Sequence, residues 1–176
     1  MAWRGKDATC VGTDSQWSQG NQRGEVGEGK LWRHGRFVVA ASGTVRSLQV
    51  LRHGPHFSEK LTDKELIPAL VREWAPALIT HFNDLGSLTK SDDKTANIGC
   101  DGLIVCRKMI IRFGADLTFI KEPLHYAAGG SGEEVALGYF AGQPRDTLPY
   151  HTVIGALKAS ARHCTGVSAP FHTEML

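Results

Sequence analysis

The residues with chemical potential in this sequence stand at the ends of short apolar segments. Asp14 ends one such segment, and Lys30 begins another sixteen residues later. Gly43 closes the segment that Lys30 begins, and Ser131 stands between glycines ahead of a helical pattern. A lysine ammonium beside an aspartate depresses the pKa of a nearby amine or nucleophile, and backbone N–H groups at a glycine-rich strand end can stabilise an oxyanion. These are parts that a nucleophilic hydrolase needs besides its nucleophile.

Each of these residues also has a simpler interpretation. Asp14 followed by Ser15 is typical of an Asx turn that ends a strand, and a lone lysine at a strand start is commonly a solvated surface group. Residues 129–132, Gly-Gly-Ser-Gly before a helix, could hold a phosphate at the helix N-terminus, as in a small ligand-binding α+β domain. The Lys-Ser/Thr of a phosphate-binding P-loop is missing from that segment.

Composition bounds the class of protein. A chain of 176 residues with 41% hydrophobic and 22% charged residues is expected to form one domain, residues 1–176. A net charge of +2 without a basic run excludes a nucleic-acid binder. No apolar run approaches the length of a membrane span, and the N-terminus has no signal pattern. We therefore expect a cytoplasmic protein that does not bind membranes.

The cysteines and histidines predict no metal site and no cofactor. The pair His53 and His56 flanks Gly54-Pro55, which marks a helix end rather than a rigid ligand platform. The cysteines form no close metal-type pair and are expected to be reduced thiols, because cytosolic disulfides are rare. The four cysteines are Cys10, Cys100, Cys106 and Cys164.

The first half of the chain predicts two hairpins followed by helices. The first hairpin joins residues 1–4 to residues 8–13 through a turn at Gly5. The second joins residues 30–33 to residues 37–41. The remaining predictions are a polar loop at 18–29, a helix from 44 to 53, a helix over 62–82 that Pro76 kinks or splits, and a polar loop at 83–97.

The second half predicts three strands, a short fourth strand, two helices and a closing strand. The three strands are separated by two-residue turns. The segments are strands 102–106, 109–113, 116–120 and 126–128, helices 133–140 and 150–162, and a strand within 167–176 that Pro170 interrupts. Antiparallel hairpins with helices in separate blocks predict an α+β fold rather than alternating βαβ units.

Taken in order, the strand ending in Asp14, the strand headed by Lys30 and the Gly130-Ser131-Gly132 turn resemble the proteasome β-subunit branch of the N-terminal-nucleophile (Ntn) hydrolases. Within that branch the set is close to the bacterial HslV-type and proteasome-homologue peptidases. The resemblance covers about residues 8–170, including a closing segment at 164–170. It implies a four-layer αββα sandwich and hydrolysis of peptide bonds by an N-terminal threonine.

The resemblance also implies a role for each matched residue. Lys30 matches the catalytic lysine of the family, and Asp14 matches the aspartate that holds this lysine. Ser131 matches the serine that bonds near the nucleophile's amine. Gly43 stands where the family supplies the oxyanion-hole amide, within one residue of register. The implied partners are further copies of the chain in a ring, a polypeptide substrate and an ATP-dependent unfoldase.

Two features depart from the family. The family nucleophile stands about sixteen residues before the position of Asp14, whereas thirteen residues precede Asp14 here, so three to five residues are expected to be missing. Met1 and Ala2 carry no nucleophilic group. In addition, Cys164, Thr165 and Ser168 occupy the region where the family often has an aspartate.

Two explanations of the missing nucleophile stay open. The written start lies inside the true reading frame of a threonine-initiated peptidase, or the chain is a non-catalytic assembly or peptide-binding shell on the same fold. A nucleophile at Thr9 or Cys10 is rejected, because cleavage there would delete the first strand.

Overall fold

The computed structural model describes residues 1–19, 22–90 and 95–176. The strands are β1 Ala2–Arg4, β2 Thr9–Asp14, β3 Gln16–Gln19, β4 Gln22–Glu25, β5 Leu31–His34, β6 Phe37–Gly43, β7 Thr89–Lys90, β8 Ala96–Asn97, β9 Cys100–Cys106, β10 Met109–Phe113, β11 Phe119–Lys121, β12 Tyr126–Ala127 and β13 Phe171–Met175. The helices are α1 Val45–His53, α2 Leu66–Ala69, α3 Ala75–Asp84, α4 Glu133–Ala141 and α5 Pro149–His163, and a π-helical turn, Leu70–Trp74, joins α2 to α3.

Two antiparallel sheets form the centre of the fold. One has the strand order β12-β1-β2-β13, and the other has the order β11-β10-β9-β6-β5. In the first sheet Ala2 pairs with Val11 on one side and with Ala127 on the other. Strand β1 is therefore a central strand, and its N-terminal end lies beside the C-terminal ends of β2 and β12.

Apolar residues pack in three clusters. The first lies between the five-stranded sheet and helices α1 to α3 and includes Phe37, Leu51 and Leu78. The second joins β1 and β2 to helices α4 and α5 around Trp3 and Phe140. The third combines residues of both sheets: Ala2, Val11, Val38, Ala40, Leu103, Val105, Ile110 and Ala127. Burial on both faces explains why the central strands are almost continuously apolar.

Both sequence-predicted hairpins and both long helical segments of the first half are present. Thr44 caps α1 by accepting a hydrogen bond from the Ser47 N–H, which satisfies a donor at the helix N-terminus. The segment before Pro76 departs from α-helix in the π-helical turn Leu70–Trp74. Pro76 cannot donate a hydrogen bond and crowds the preceding turn, so the interruption expected of this proline is found there.

The apolar side chains of this helical segment serve the core more than the surface. Leu66, Leu70, Leu78 and Phe82 are at most 1% exposed. Val71 is 52% exposed on the same segment. The apolar excess that the sequence shows over Leu66 to Phe82 is thus largely accounted for by packing on the five-stranded sheet.

Three sequence predictions were wrong in detail. The polar segment 18–29 is not all loop, because β3 and β4 pair as a hairpin, in which the Trp17 indole lies against Gly24. The segment 83–97 contains the short pair β7 and β8, and its residues 91–94 lie outside the described residues. The strand expected from residue 116 begins at Phe119, because Asp116 accepts a hydrogen bond from the Thr118 N–H in a turn.

No helix among the described residues is long and apolar enough to cross a membrane.

Candidate active site

Lys30 and Asp14 form an ion pair at the end of β2. The Lys30 ammonium donates to both Asp14 carboxylate oxygens, at 3.0 and 3.2 Å. The two side chains are 12% and 13% exposed. Asp14 also accepts a hydrogen bond from the Gln16 N–H at 3.0 Å, which is the Asx turn expected from the sequence. Asp14 therefore makes both the Asx turn and the ion pair, and the turn fixes the carboxylate that holds the lysine.

This pair opens onto a small cavity of about 70 Å³. Its walls come from the start of β1, the ends of β2 and β6, the Gly-Gly-Ser-Gly turn, and the segment that follows α5. Residues that line it include Met1, Asp14, Lys30, Ser42, Ser131 and Gly166. The fold thus brings Lys30, Asp14 and Ser131 to one place from distant parts of the chain.

Ser131 lies in a turn that has little side-chain bulk of its own. Gly130 adopts φ +78°, a left-handed conformation that favours glycine. A Cβ on Gly166 would lie 2.7 Å from the Ser131 hydroxyl oxygen, so glycine at 166 lets the closing segment approach the serine. Gly132 is buried, and its carbonyl accepts a hydrogen bond from the Ser160 hydroxyl at 3.1 Å.

Gly43 lies beside this cavity rather than in its wall. It lines a neighbouring cavity of about 440 Å³ that Lys30, Ser42 and Ser131 also line. Ser42, one residue earlier, lines both cavities, and its hydroxyl donates to the Asp101 carboxylate at 2.6 Å. No signal in the sequence points to Ser42, because its partner Asp101 lies 59 residues away along the chain.

The amine of Met1 is a buried titratable group that lines the same cavity. It donates to the Gly12 carbonyl at 2.9 Å. Burial lowers the pKa of this amine from 8.0 to about 6, against the Asp14 and Cys10 charges, which raise it. Arg112 lowers the same pKa further, and Glu133 raises it.

Thr13 contributes a polar atom that has no partner. Its side chain is 8% exposed, lines the small cavity, and its hydroxyl makes no hydrogen bond. A buried hydroxyl without a partner costs roughly 1–3 kcal/mol. The sequence gives no signal for this, because a threonine on a β-strand is ordinary. The cavity wall therefore contains a hydroxyl, that of Thr13, whose hydrogen-bonding capacity is not satisfied.

Two larger cavities lie next to each other beside the small one. The neighbouring cavity shares Trp17, Val26, Val45 and Leu48 with a third cavity of about 470 Å³, which extends along α1 to Arg52. Apolar and polar side chains thus alternate in the surface that leads from Lys30 and Ser131 past the β3–β4 hairpin.

The closing segment after α5 is tied to the end of β2. The Gln16 side chain donates to the Thr165 carbonyl at 2.9 Å, and the Ser15 hydroxyl donates to the Pro170 carbonyl at 3.1 Å. Residues 164–168 contain no carboxylate. Gly166 and Val167 line the small cavity, so the departure noted at Cys164, Thr165 and Ser168 concerns residues next to its wall.

Nothing in the site points to a metal. Within residues 1–19, 22–90 and 95–176, no group of three or more His, Cys, Asp or Glu side chains could hold a metal ion. Cys10, Cys100 and Cys106 are buried free thiols. Burial raises the pKa of the Cys10 and Cys100 thiols to about 12, so these cysteines are poor nucleophiles.

Solved structures of known proteins share this fold. BPH from Thiobacillus denitrificans, in complex with epoxomicin, superposes with a TM-score of 0.81 at 18% identity, over 99% of this chain and 96% of that chain. HslV from Trypanosoma brucei gives a TM-score of 0.68 at 12% identity, covering 99% and 97%. Anbu (ancestral beta-subunit) from Yersinia bercovieri gives 0.65 at 12%, covering 99% and 79%.

No protein-family model matches the sequence, and no curated protein sequence matches it. The structural likeness is strong although the identities are low, so it establishes the fold. The chain has the α+β fold of proteasome-like Ntn hydrolases, as the ordered set of residues had indicated.

Proposed function

We propose that this chain is the scaffold of a threonine-type peptidase whose nucleophile stands three residues before Met1. The observation that carries the proposal is the meeting of four features at one cavity: the Lys30–Asp14 ion pair, Ser131, the glycine-rich turn, and the open end of β1. A lysine beside a carboxylate, next to a strand end that can present an amine, is suited to nucleophilic catalysis by a first residue.

The strand register supports a nucleophile three residues before Met1. Ala2 faces Val11 and Ala127, so each residue added before Met1 would face one residue further along β2 and beyond β12. The third added residue would face Ser15 and Ser131. Side chains alternate along a strand, so it would share the face of Ala2, which packs between the sheets. A threonine there would stand beside Lys30 and Ser131.

In the proposed reaction the threonine hydroxyl oxygen attacks the carbonyl carbon of the scissile peptide bond. The threonine's own α-amine accepts the hydroxyl proton and then delivers it to the leaving amine. Lys30 would depress the pKa values of this amine and hydroxyl by its charge, and Asp14 would keep Lys30 oriented. Ser131 would relay protons near the amine. Water then hydrolyses the ester and restores the hydroxyl.

The oxyanion would be stabilised by a backbone N–H at the end of β6. Gly43 is the proposed donor from the resemblance, with Ser42 as the neighbouring alternative. The Ala41 N–H donates to the Lys30 carbonyl, whereas the Thr44 N–H donates to the Gly99 carbonyl on the opposite side of β6. Because successive amides of an extended strand point in opposite directions, the Gly43 N–H points to the side of Lys30 and the Ser42 N–H points toward β9. The geometry therefore supports Gly43 as the donor.

At the level of architecture we propose a four-layer αββα sandwich formed as one domain by residues 1–176. The three apolar clusters support this, since one lies between the sheets and the other two join the sheets to helices. We also propose a homo-oligomeric ring, a polypeptide substrate, an ATP-dependent unfoldase as partner, and a cytoplasmic location. The free thiols of Cys10, Cys100 and Cys106 fit a reducing compartment.

The experiment that tests the proposal uses an extended chain and epoxomicin, the compound bound to BPH in a related fold. The sequence Thr-Thr-Val is placed before Met1 behind a removable leader, so that cleavage exposes threonine. A matched form carries Ala-Thr-Val. The intact mass of each folded protein is measured after incubation with epoxomicin.

The proposal expects a covalent adduct on the threonine form and none on the alanine form. The adduct should also be lost in the threonine form that carries Lys30→Ala. A folded threonine form that gains no mass would contradict the proposal.

A second candidate function is a non-catalytic shell on the same fold. The absence of a carboxylate in residues 164–168, which border Ser131, favours it. A shell would form the same oligomer with or without the added threonine. It would remain inert toward epoxomicin in both forms.

A further inference from the structure

Arg112 lies on β10 in the five-stranded sheet and points toward the other sheet. Ile110 belongs to the apolar cluster between the sheets, whereas Ile111 belongs to the cluster on the helical side. Because side chains alternate along a strand, Arg112 shares the face of Ile110. Its strand partner Leu103 lines the small cavity. The Arg112 side chain therefore projects from the face of the five-stranded sheet that borders the candidate site.

The guanidinium binds two carboxylates from two other parts of the chain. Its Nε donates to Glu122 at 2.8 Å, and its Nη1 donates to Glu133 at 2.7 Å. The side chains of Arg112, Glu122 and Glu133 are 29%, 15% and 34% exposed. Burial alone would lower the pKa of Arg112, but the hydrogen bonds to the two glutamates raise it. The ion pairs thus outweigh the cost of partial burial.

Glu133 is the first residue of α4 and directly follows the Ser131 turn. Its N–H donates to the Gly130 carbonyl at 3.0 Å, which closes that turn. Gly129, Gly130 and Gly132 supply no side chains that could anchor it. The Arg112–Glu133 ion pair is therefore a side-chain tie between the helix that follows the turn and the opposite sheet.

We infer that Arg112 is a positioning residue, which clamps the first turn of α4 to the five-stranded sheet and so holds Ser131 beside the Lys30–Asp14 pair. The clamp follows from the ion pairs. Its consequence for hydrolysis rests on the proposed function. Neither the charge nor the two-sided geometry would survive replacement of the guanidinium by a neutral amide.

The buried amine of Met1 reports on this arrangement. The charged and titratable groups that act on it come from three elements: Asp14 and Cys10 of β2, Arg112 of β10, and Glu133 of α4. Lys30 lines the same cavity. Arg112 and Glu133 act in opposite directions on the pKa of this amine. Removal of the Arg112 charge should therefore raise this pKa, and removal of the Glu133 charge alone should lower it.

The first test uses the 176-residue chain. Native-state hydrogen exchange is measured at the amides of Glu133 and Ala136, which donate to Gly130 and Gly132 respectively. Arg112→Gln should speed this exchange at least tenfold relative to amides in β9. The matched control is Arg33→Gln, which removes the same charge from an exposed ion pair, Arg33 with Glu174, 2.8 Å long. It should leave the exchange at both amides unchanged.

The second test titrates the Met1 amine by NMR in the same chain, labelled with ¹⁵N-methionine. Arg112→Gln should move the titration to higher pH, and Glu133→Gln should move it to lower pH. Arg33→Gln should not move it. If the guanidinium did not lie at this end of the fold, Arg112→Gln would leave the titration where it is, as Arg33→Gln does.

Two results would overturn the inference. One is unchanged exchange at Glu133 and Ala136 in folded Arg112→Gln. The other is a titration of the Met1 amine that Arg112→Gln does not move to higher pH. In the threonine-extended form, Arg112→Gln should lower kcat/KM about tenfold and Arg112→Lys should restore part of it. If the threonine-extended chain with Arg112 intact were inactive, that result would count against the proposed function alone. The exchange and titration tests do not depend on activity.

Discussion

The two ends of the β1–β2 hairpin differ sharply in how their polar groups are satisfied. At the turn end, the Gly5 N–H donates to the Ala8 carbonyl at 2.9 Å, and the Thr9 hydroxyl donates to the Arg107 carbonyl at 3.1 Å. The Arg107 guanidinium binds the Asp7 carbonyl at 2.8 Å. The turn end is therefore tied to the second sheet by neutral or charge-assisted bonds to carbonyls.

The opposite end contains groups that weaken a fold. An amine whose pKa burial lowers to about 6 lies there, the Thr13 hydroxyl has no partner, and the Lys30–Asp14 pair is largely removed from water. Such violations of polar satisfaction are typical of sites built for chemistry. The contrast supports our proposal that this end of the hairpin, called the functional end below, borders the active site, whereas the turn end stabilises the fold.

The largest expected effect concerns the charge at the functional end. In the threonine-extended form, Lys30→Ala should lower kcat/KM roughly 10³-fold, because it removes the charge that tunes the nucleophile and stabilises developing negative charge. Hydrolysis of a fluorogenic peptide measures this. The control is Lys158→Ala, an exposed lysine on α5, which should keep full activity. Equal activity of Lys30→Ala and Lys158→Ala would show that the functional end does not serve catalysis.

The second effect is the pH dependence of stability that the buried amine at the functional end should produce. The Met1 amine has a pKa lowered from 8.0 to about 6 in the folded chain, so the unfolded chain binds more protons between these values. The free energy of unfolding should therefore rise between pH 6 and pH 8, by roughly 2–3 kcal/mol. Below pH 6 the full cost of burying the charge is present.

Urea unfolding at pH 6, 7 and 8 measures this dependence. The control is the extended chain with its leader retained, in which the Met1 nitrogen is an uncharged peptide N–H. His56 and His125, whose pKa values burial also lowers, contribute equally to both chains. The difference between the two curves thus isolates the amine. Parallel curves would show that the amine is not buried as described.

The smallest effect is a difference in the free energy of unfolding when threonine is replaced by valine at either end of β2. Thr9→Val should cost about 1–2 kcal/mol, because it leaves the Arg107 carbonyl without its donor. Thr13→Val should instead raise stability by up to about 1 kcal/mol, because it removes a buried hydroxyl that has no partner. Both values come from urea unfolding in one buffer. Equal losses at the two positions would remove the distinction between the two ends.

The sequence predicted the elements whose signals are local. The turn at Gly5 and the helical spacing after Thr44 depend on neighbouring residues, and they led to the correct hairpin and helix. The pairing of Asp14 with Lys30, sixteen residues away, was expected from the resemblance to the family instead. The β3–β4 hairpin was missed because its strands are polar, and Trp17 packs on Gly24 only in the folded chain. Polar strands lack the period that marks a buried face.

The parts of the site that the sequence did not reveal depend on contacts between distant elements. Arg112 meets Glu133 across 21 residues of chain, and Ser42 meets Asp101 across 59. Neither pair has a spacing that a single sequence can show. Thr13 differs from Thr9 only in what the second sheet offers each hydroxyl.

The most direct test of the account varies the length of the extension. Hydrolysis of a fluorogenic peptide is measured for folded chains that begin with threonine two, three or four residues before Met1. The strand register predicts activity only with the three-residue extension, where threonine faces Ser131, and none when alanine replaces that threonine. Activity at every length, or none at the three-residue length, would contradict the placement of the nucleophile.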